Sequence, residues 1–202
     1  MPRAKRTEQE IAAMRERILD ATLALLRQEG PEGVSIRKIA DRIGVSHMLL
    51  YSYFDNRAAI IQSLRERGFE EMEAFCAESL CRAETGDALV QVRVLLGRFI
   101  QVSHEHPMLY QLAWRRATSW RADRLNVTTI LEHLSQLIQL CIERGQCIER
   151  DPRLAATVAF SMVNGTLMLY HGLPALGQTA QAELEREVIE AAITYLTQQT
   201  SE

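Results

Sequence analysis

The chain has 202 residues with a formal net charge of −3, and 47% of its residues are hydrophobic. This length provides one or two compact domains with ample core, and this composition excludes a disordered chain. No apolar run approaches the roughly 18 residues that cross a bilayer. The first ten residues, MPRAKRTEQE, lack the apolar stretch of a secretion signal. We therefore expect a soluble, cytoplasmic protein without a membrane partner.

The charge is unevenly distributed along the chain. Residues 1–60 contain ten Lys/Arg and eight Asp/Glu, whereas the rest of the chain contains thirteen and eighteen. The first six residues carry Arg3, Lys5 and Arg6 without an acidic residue. A basic end on an acidic body favours a polyanion as the partner of that end alone.

A long amphipathic helix is predicted from about Glu8 to Gly30. Its apolar side chains recur at helical spacing along one face. The sequence Gly-Pro-Glu-Gly at residues 30–33 then ends the helix sharply. The residues of the apolar face are Ile11, Met14, Ile18, Ala21, Thr22 and Leu25.

Two short helices joined by a tight turn are predicted between residues 35 and 54. In the first, apolar side chains recur at helical spacing, and Ser35 stands where it can cap the first turn. Gly44 then interrupts the pattern, because glycine allows turn conformations that other residues resist. The apolar positions of this helix are Ile36, Ile39, Ala40 and Ile43.

The second short helix has an inner and an outer face. Ser46 can cap it, and Leu50 and Phe54, four residues apart, point back toward the first helix. Such a pair is the helix-turn-helix pattern, whose second helix can enter the DNA major groove. An ordinary helical hairpin within a bundle gives the same local pattern. The side chains left facing outward are His47, Met48, Tyr51 and Ser52.

Another helix is predicted to begin after Asp55 and Asn56, either of which can cap it. Arg57 then lies in its first turn, where the helix dipole disfavours a cation. A phosphate bound beside this helix end would favour the arginine there. A solvated arginine is the alternative.

Four motifs of this region occur in a fixed order and spacing. They are Arg17-Ile-Leu-Asp-Ala-Thr, Val34-Ser-Ile-Arg-Lys-Ile-Ala, Gly44-Val-Ser and Leu50-Tyr-Ser-Tyr-Phe-Asp-Asn-Arg57.

Because of these motifs, about residues 10–70 of the chain resemble the amino-terminal domain of the tetracycline-repressor (TetR) family. The resemblance implies an all-α, homodimeric transcriptional repressor that binds a palindromic operator on double-stranded DNA and is released by a small-molecule effector. It implies a three-helix DNA-binding domain at residues 1–55, with the helix-turn-helix at 35–54. Residues 56–202 would form a larger helical domain for ligand binding and dimerisation.

By position, the resemblance also implies which residues contact DNA. Arg57 stands where the family usually has a phosphate-binding lysine. Met48 and Leu49 depart from a frequent Gly or Pro followed by Thr, so they would contact thymine methyl groups or pack internally. The implied DNA contacts are Ser35, Arg37, His47, Met48, Leu49, Tyr51, Ser52, Tyr53 and Arg57.

Six helices are predicted after residue 55, which gives about nine in the chain, and no segment is predicted to be a strand. Thr85-Gly86-Asp87 and Gly145 end two of these helices, and Asp151-Pro152 is a strong start signal. The six predicted segments are about 56–84, 88–104, one opening at Pro107, 123–144, 152–170 and 181–198.

The last two predicted helices carry broad faces of small and apolar residues. Internal core is one interpretation of these faces. The resemblance implies instead that both helices pair with their copies in a four-helix homodimer interface. The residues of these faces are Ala155, Ala159, Met162, Val163, Gly165, Thr166, Leu184, Val188, Ile189, Ala192 and Leu196.

The resemblance places a ligand cavity between the fourth and seventh helices. Histidine and aromatic side chains in an aliphatic bundle provide polar anchors on an apolar wall. We predict Tyr110 and Trp114 as ligand-binding residues, although each is equally compatible with a core or surface role. The wider candidate set is His104, His106, Tyr110, Trp114, Arg115 and Trp120.

No motif of a known enzyme class occurs in the chain, and acidic residues are scattered rather than convergent. The four cysteines lack the spacing of a zinc or redox site, so we expect buried, inert thiols, no metal and no cofactor, with thiol sensing as the alternative role of the cysteines. A non-enzymatic, ligand-responsive DNA-binding regulator is therefore predicted. The alternatives are an architectural DNA-binding protein without an effector and a helical adaptor that binds protein.

Overall fold

The computed structural model of the protein describes residues 7–108, 110–111, 123–172 and 178–199. Eight α-helices account for most of these residues, and none of the described residues is in a strand. The predicted all-α class is confirmed, and much of the segment after Pro107, where a ninth helix was expected, lies outside the described residues. The helices are α1 (Glu8–Gly33), α2 (Ile36–Ile43), α3 (His47–Leu50), α4 (Arg57–Thr85), α5 (Ala88–Glu105), α6 (Asp123–Glu143), α7 (Pro152–Gly172) and α8 (Gln178–Thr197).

Side chains cap the helices at the positions that the sequence predicted. Ser35, Ser46, Asn56 and Asp151 each accept a hydrogen bond from a backbone amide two or three residues ahead. Such a bond satisfies an amide that has no partner within the first turn of the helix. Of the two candidates before α4, Asn56 is the residue that caps it.

Two glycines with positive φ set the ends of the first helices. Gly30, with φ of 71°, breaks the regular helix within α1, so Pro31 follows the break rather than interrupting a continuous helix. Gly44, with φ of 73°, ends α2, and its amide donates to the carbonyls of Ala40 and Asp41. The predicted breaks at these two positions are therefore present.

The chain divides into two compact units, residues 1–68 and 69–202. In the first unit, α1, α2, α3 and the start of α4 bury Ile18, Leu26, Ile39, Leu50, Ile60 and Leu64. In the second unit, a separate core contains Leu96, Leu134, Leu137, Ile138, Leu167 and Leu196. Each unit thus has its own apolar core. None of the described helices is both long and apolar enough to cross a bilayer.

Gly44→Ala is expected to lower the free energy of unfolding by about 1–2 kcal/mol, because alanine is strained at positive φ. A Cβ at Gly44 would meet no atom within 4 Å, so the effect is conformational. Gly68, inside α4, has equally open surroundings, and Gly68→Ala should stabilise by about 0.5–1 kcal/mol. Urea unfolding followed by circular dichroism measures both. Equal midpoints for Gly44→Ala and wild type would contradict the assignment of strain.

Candidate functional site

The helix-turn-helix presents one polar face to solvent and buries the other. Met48 and Tyr51 are 67% and 50% exposed, whereas Leu50 and Phe54 are 0% and 4% exposed. His47 and Ser52 are exposed as well. The division into an inner and an outer face that the spacing predicted is therefore present.

The recognition helix α3 is shorter than its sequence pattern indicates, because it ends at Leu50 instead of continuing to Phe54. The amides of Ser52 and Tyr53 donate to the carbonyls three residues earlier, Leu49 and Leu50, at 3.1 Å and 2.9 Å. The Ser52 hydroxyl also donates to the Leu49 carbonyl at 2.6 Å. These bonds tighten the chain into a turn immediately before α4 begins.

Two arginines of α1 hold this region from behind. Arg15 Nη1 donates to the Tyr53 carbonyl at 2.6 Å, and its guanidinium lies 4.1 Å from the centroid of the Phe54 ring. Arg17 Nη2 donates to the carbonyl of Ile43 at 3.4 Å. The sequence prediction missed both roles, since spacing along a helix does not show which distant carbonyl a long side chain reaches.

Tyr53 is placed differently from the other predicted DNA contacts. Its side chain is only 9% exposed, in the turn that Arg15 holds. Leu49 is partly buried as well. Little of the Tyr53 side chain can reach a base, because burial leaves only a small part of its surface accessible. Tyr53 therefore packs beneath the outer face and contributes little to its exposed surface.

Exposed cations flank the outer face. Arg37 Nε lies 4.0 Å from Asp41 Oδ2, with the two side chains 88% and 72% exposed. An ion pair this exposed contributes about 0–1 kcal/mol, so DNA can replace it at little cost. Arg57 is exposed and donates to the Pro31 carbonyl, while Lys38 forms an ion pair with Glu29.

A short helix backed by two others, with an exposed polar face and flanking cations, is the geometry of a helix-turn-helix DNA-binding protein. Residues 18–64 match the family model of bacterial regulatory proteins of the tetR family. Residues 18–64 therefore form a DNA-binding domain of this family, which confirms the resemblance noted in the sequence, and the chain is a DNA-binding transcriptional regulator.

Curated relatives and solved structures extend the comparison beyond this domain. The nucleoid occlusion factor SlmA of Vibrio atlanticus is 27% identical over 161 residues, which are 76% of this chain and 81% of that protein. SmeT, the repressor of the Stenotrophomonas maltophilia multidrug efflux pump SmeDEF, has a TM-score of 0.75 at 19% identity, with 94% and 93% of the two chains covered. RolR in complex with resorcinol has a TM-score of 0.62 at 17% identity, with 96% and 92% covered. The two structural likenesses establish the fold.

One of the two predicted ligand-binding residues, Tyr110, lies in the second unit and is 9% exposed. Its hydroxyl lies 2.8 Å from Asn164 Oδ1 and 3.3 Å from the Asn164 carbonyl, and donates toward them. Burial raises the pKa of the Tyr110 hydroxyl, so this side chain stays neutral and acts as a hydrogen-bond donor. Asn164 was not predicted, because a single amide on an apolar helix face gives no distinctive pattern.

A polar cluster continues from Tyr110 across α5, α7 and α8. The His171 ring lies 4.9 Å from the Tyr110 ring between centroids. His104 Nε2 lies 2.5 Å from Glu185 Oε1 and 3.0 Å from Gln181 Nε2. Of the wider candidate set, His104 therefore joins Tyr110 in one cluster.

In this cluster, the side chain of His171 has a ring nitrogen without a hydrogen-bond partner in the described part of the chain. This nitrogen, Nε2, is buried. Burial, and after it the neighbouring His104, lowers the pKa of His171, which favours the neutral ring. A neutral imidazole with an unused nitrogen can accept or donate one further hydrogen bond.

The other predicted ligand-binding residues are not part of this cluster as the structure describes it. Trp114, the second predicted ligand-binding residue, lies outside the described residues, as do Arg115 and Trp120. His106 ends α5, where its amide donates to the Val102 carbonyl. The cluster around Tyr110 is therefore the part of the predicted ligand site that the structure describes.

Proposed function

We propose that this regulator is a repressor that binds a palindromic operator as a homodimer in the cytoplasm and is released by a small molecule. The observation that carries the proposal is the exposed outer face of the helix-turn-helix over a buried support. A fold shared with SmeT, a repressor, supports the same function. Reading of DNA is assigned to residues 1–55, and ligand binding and dimerisation to residues 56–202, without a catalytic step.

Within this proposal, contacts with bases and contacts with phosphates belong to different residues. Arg37, His47 and Tyr51 carry exposed donors that reach base edges, and each good contact contributes about 1–3 kcal/mol of discrimination. Met48 is assigned to a thymine methyl group. Its apolar side chain is 67% exposed on this face, and apolar side chains can pack against that methyl group in the major groove.

Phosphate contacts are assigned to Arg57 and to the hydroxyl of Ser35, whereas the Ser52 hydroxyl already donates its proton to the Leu49 carbonyl. Arg57 contributes charge at the start of α4. The Ser35 oxygen accepts the Lys38 amide, so its own proton remains for donation to a phosphate. Tyr53 is not among the proposed base contacts because its side chain is buried.

The proposed dimer forms through the outer sides of α7 and α8. Five of the eleven small and apolar residues that were expected at the interface are buried within the core of the chain's own second unit, at most 1% exposed: Ala155, Ala159, Val163, Ala192 and Leu196. The internal-core interpretation therefore applies to these five. Apolar side chains that remain between 38% and 60% exposed on the two helices are Leu154, Met168, Leu169 and Leu184.

The proposed effector site is the polar cluster at Tyr110, with Trp114 as its second predicted residue. A small molecule that forms a hydrogen bond with His171 Nε2 would have a higher affinity for the conformation of the protein in which this nitrogen is accessible to it. Only such a difference in affinity can change operator occupancy, and a shift from 99:1 to 1:99 requires about 5.5 kcal/mol. RolR, which binds resorcinol, supports a small aromatic molecule as one effector class to be tested.

A second candidate function is favoured by the match to the nucleoid occlusion factor SlmA, which covers 76% of this chain. In this second function, the chain would use the same DNA-binding face without release by an effector. Binding to selected duplexes in the presence and absence of a panel of aromatic and acyl compounds separates the two functions. Sequence-selective binding that no compound weakens would favour the second candidate, and absence of DNA binding would favour a helical adaptor.

Arg37→Ala and Tyr51→Ala should each weaken binding to the operator about 5- to 150-fold, because each removes a base contact of about 1–3 kcal/mol. Duplexes selected from a random pool by the wild-type protein provide the operator, and fluorescence anisotropy measures the affinity. Arg82→Ala changes an exposed arginine of α4 in the other unit and should leave the affinity unchanged. Wild-type affinity for either variant at the predicted contacts would exclude that residue from the interface.

Arg57→Ala should weaken binding to all duplexes alike and flatten the slope of log K against log salt by about 1, because one phosphate contact is lost. Arg57→Lys keeps the charge and should restore most of the salt slope. Anisotropy titrations at several salt concentrations on two unrelated duplexes provide the measurement. A changed base preference would argue against a pure phosphate role for Arg57.

Met168→Glu should dissociate the dimer, because it buries a charge within the proposed apolar interface. Val90, on α5, is exposed to a similar degree, 47% against 52%, so Val90→Glu is the matched control and should remain dimeric. Light scattering coupled to size exclusion measures the molar mass of both. A dimeric Met168→Glu protein would move the interface away from this part of α7.

A further inference from the structure

The turn that ends α6 brings two cysteines together. Gly145, with φ of 68°, reverses the chain, and its amide donates to the Ile142 carbonyl at 2.9 Å. The amides of Gln146 and Cys147 both donate to the carbonyl of Cys141, at 2.8 Å and 3.3 Å. The backbone of Cys147 is thereby fixed beside that of Cys141, although six positions separate them in sequence.

The thiols of these two cysteines influence each other. Both are free, and the hydrogen bond between them shifts their pKa values in opposite directions. A disulfide requires neighbouring backbones and side chains that converge, and two cysteines whose Cβ vectors point apart cannot form one. The backbone hydrogen bonds of the turn fulfil the first requirement, and the interaction between the two thiols supports the second. Cys76 and Cys81, in contrast, are five residues apart on α4, one buried and one exposed.

We propose that Cys141 and Cys147 are a redox modification site, at which a peroxide converts the two thiols into an intramolecular disulfide. The sulfur of Cys147 attacks the peroxide, the O–O bond breaks, and a sulfenic acid and one water form. The sulfur of Cys141 then attacks the sulfenic sulfur; the S–S bond forms, the S–O bond breaks and a second water leaves. The two thiols lose two electrons in total, and hydrogen peroxide gains them.

Cys147 is the thiol that reacts first. It is 8% exposed, whereas Cys141 is 0% exposed, so a small oxidant reaches Cys147 more readily. The hydrogen bond from Cys141 lowers the pKa of Cys147, which favours the nucleophilic thiolate, although burial opposes the effect. The same hydrogen bond, together with burial, raises the pKa of Cys141. The two thiols therefore have the different roles of an attacking and a resolving cysteine.

The surroundings of the pair connect it to other helices. No group of three His, Cys, Asp or Glu side chains able to hold a metal was found in the described part of the chain. Arg144, within the turn, donates to the carbonyls of Ala83, Glu84 and Gly86 where α4 ends. The amide of Ile148 donates to the Leu196 carbonyl of α8 at 3.0 Å. Oxidation thus acts at a junction of three helices, and its detection does not depend on the proposed DNA binding.

Peptide mapping of the full-length wild-type protein tests this site. The folded protein is treated with hydrogen peroxide, the remaining thiols are alkylated in denaturant, and the chain is digested with trypsin without reductant. Cleavage after Arg144 separates Cys141, in the peptide 125–144, from Cys147, in the peptide 145–150. We expect these two peptides to be recovered linked, and to separate on reduction. Recovery of both peptides unlinked, whether alkylated or carrying a sulfinic acid at Cys147, would overturn the proposal.

Two variants and one control define the specificity of the pairing. Cys147→Ala should leave Cys141 unoxidised and open to alkylation, because the remaining thiol is fully buried; oxidation of Cys141 in this variant at the same rate would overturn the assigned order. Cys81→Ser should leave the linked peptides unchanged, and their loss would show that Cys81 is required. Oxidation in denaturant should distribute disulfides over all four cysteines, and selective linkage of 141 to 147 there would mean that the fold does not direct it.

Discussion

A helix of four residues is not stable on its own in water. Fixing the backbone of one turn costs more conformational entropy than its few hydrogen bonds offset. The outer face of the helix-turn-helix therefore depends on the contacts that hold α3 from its buried side. Leu50 and Phe54 are almost fully buried, and Arg15 bonds to the turn that follows α3. The capping hydroxyl of Ser46 fixes the other end of the helix. Packing of the buried side chains and these few hydrogen bonds therefore stabilise a helix that is too short to be stable alone.

Much of the fold follows from local patterns in the sequence. The breaks at Gly30 and Gly44 and the caps at Ser35, Ser46 and Asp151 depend on neighbouring residues only, so the sequence reveals them directly. The same holds for the inner position of Leu50. Helix bounds in the second unit were likewise predicted to within a few residues, because long amphipathic segments give the clearest periodic signal.

The features that escaped prediction depend on contacts between distant parts of the chain. Tyr53 has the same local pattern as an exposed residue, and only the turn held by Arg15 shows that it is buried. In the last helices, Ala159 and Met168 both lie on apolar faces, yet the first is in the core and the second is half exposed. Helical spacing identifies an apolar face but not what packs against it, so the sequence could not separate buried core residues from exposed apolar ones.

The outer and inner faces of the helix-turn-helix are composed of different residues. Met48 and Tyr51 contribute little to the core, and Leu50 and Phe54 have almost no surface that a nucleic acid could touch. Exposed substitutions outside such structural features usually change stability by less than about 0.5 kcal/mol. Positions 48 and 51 can therefore be randomised together as a library for new target sequences, with most members retaining the scaffold that displays them.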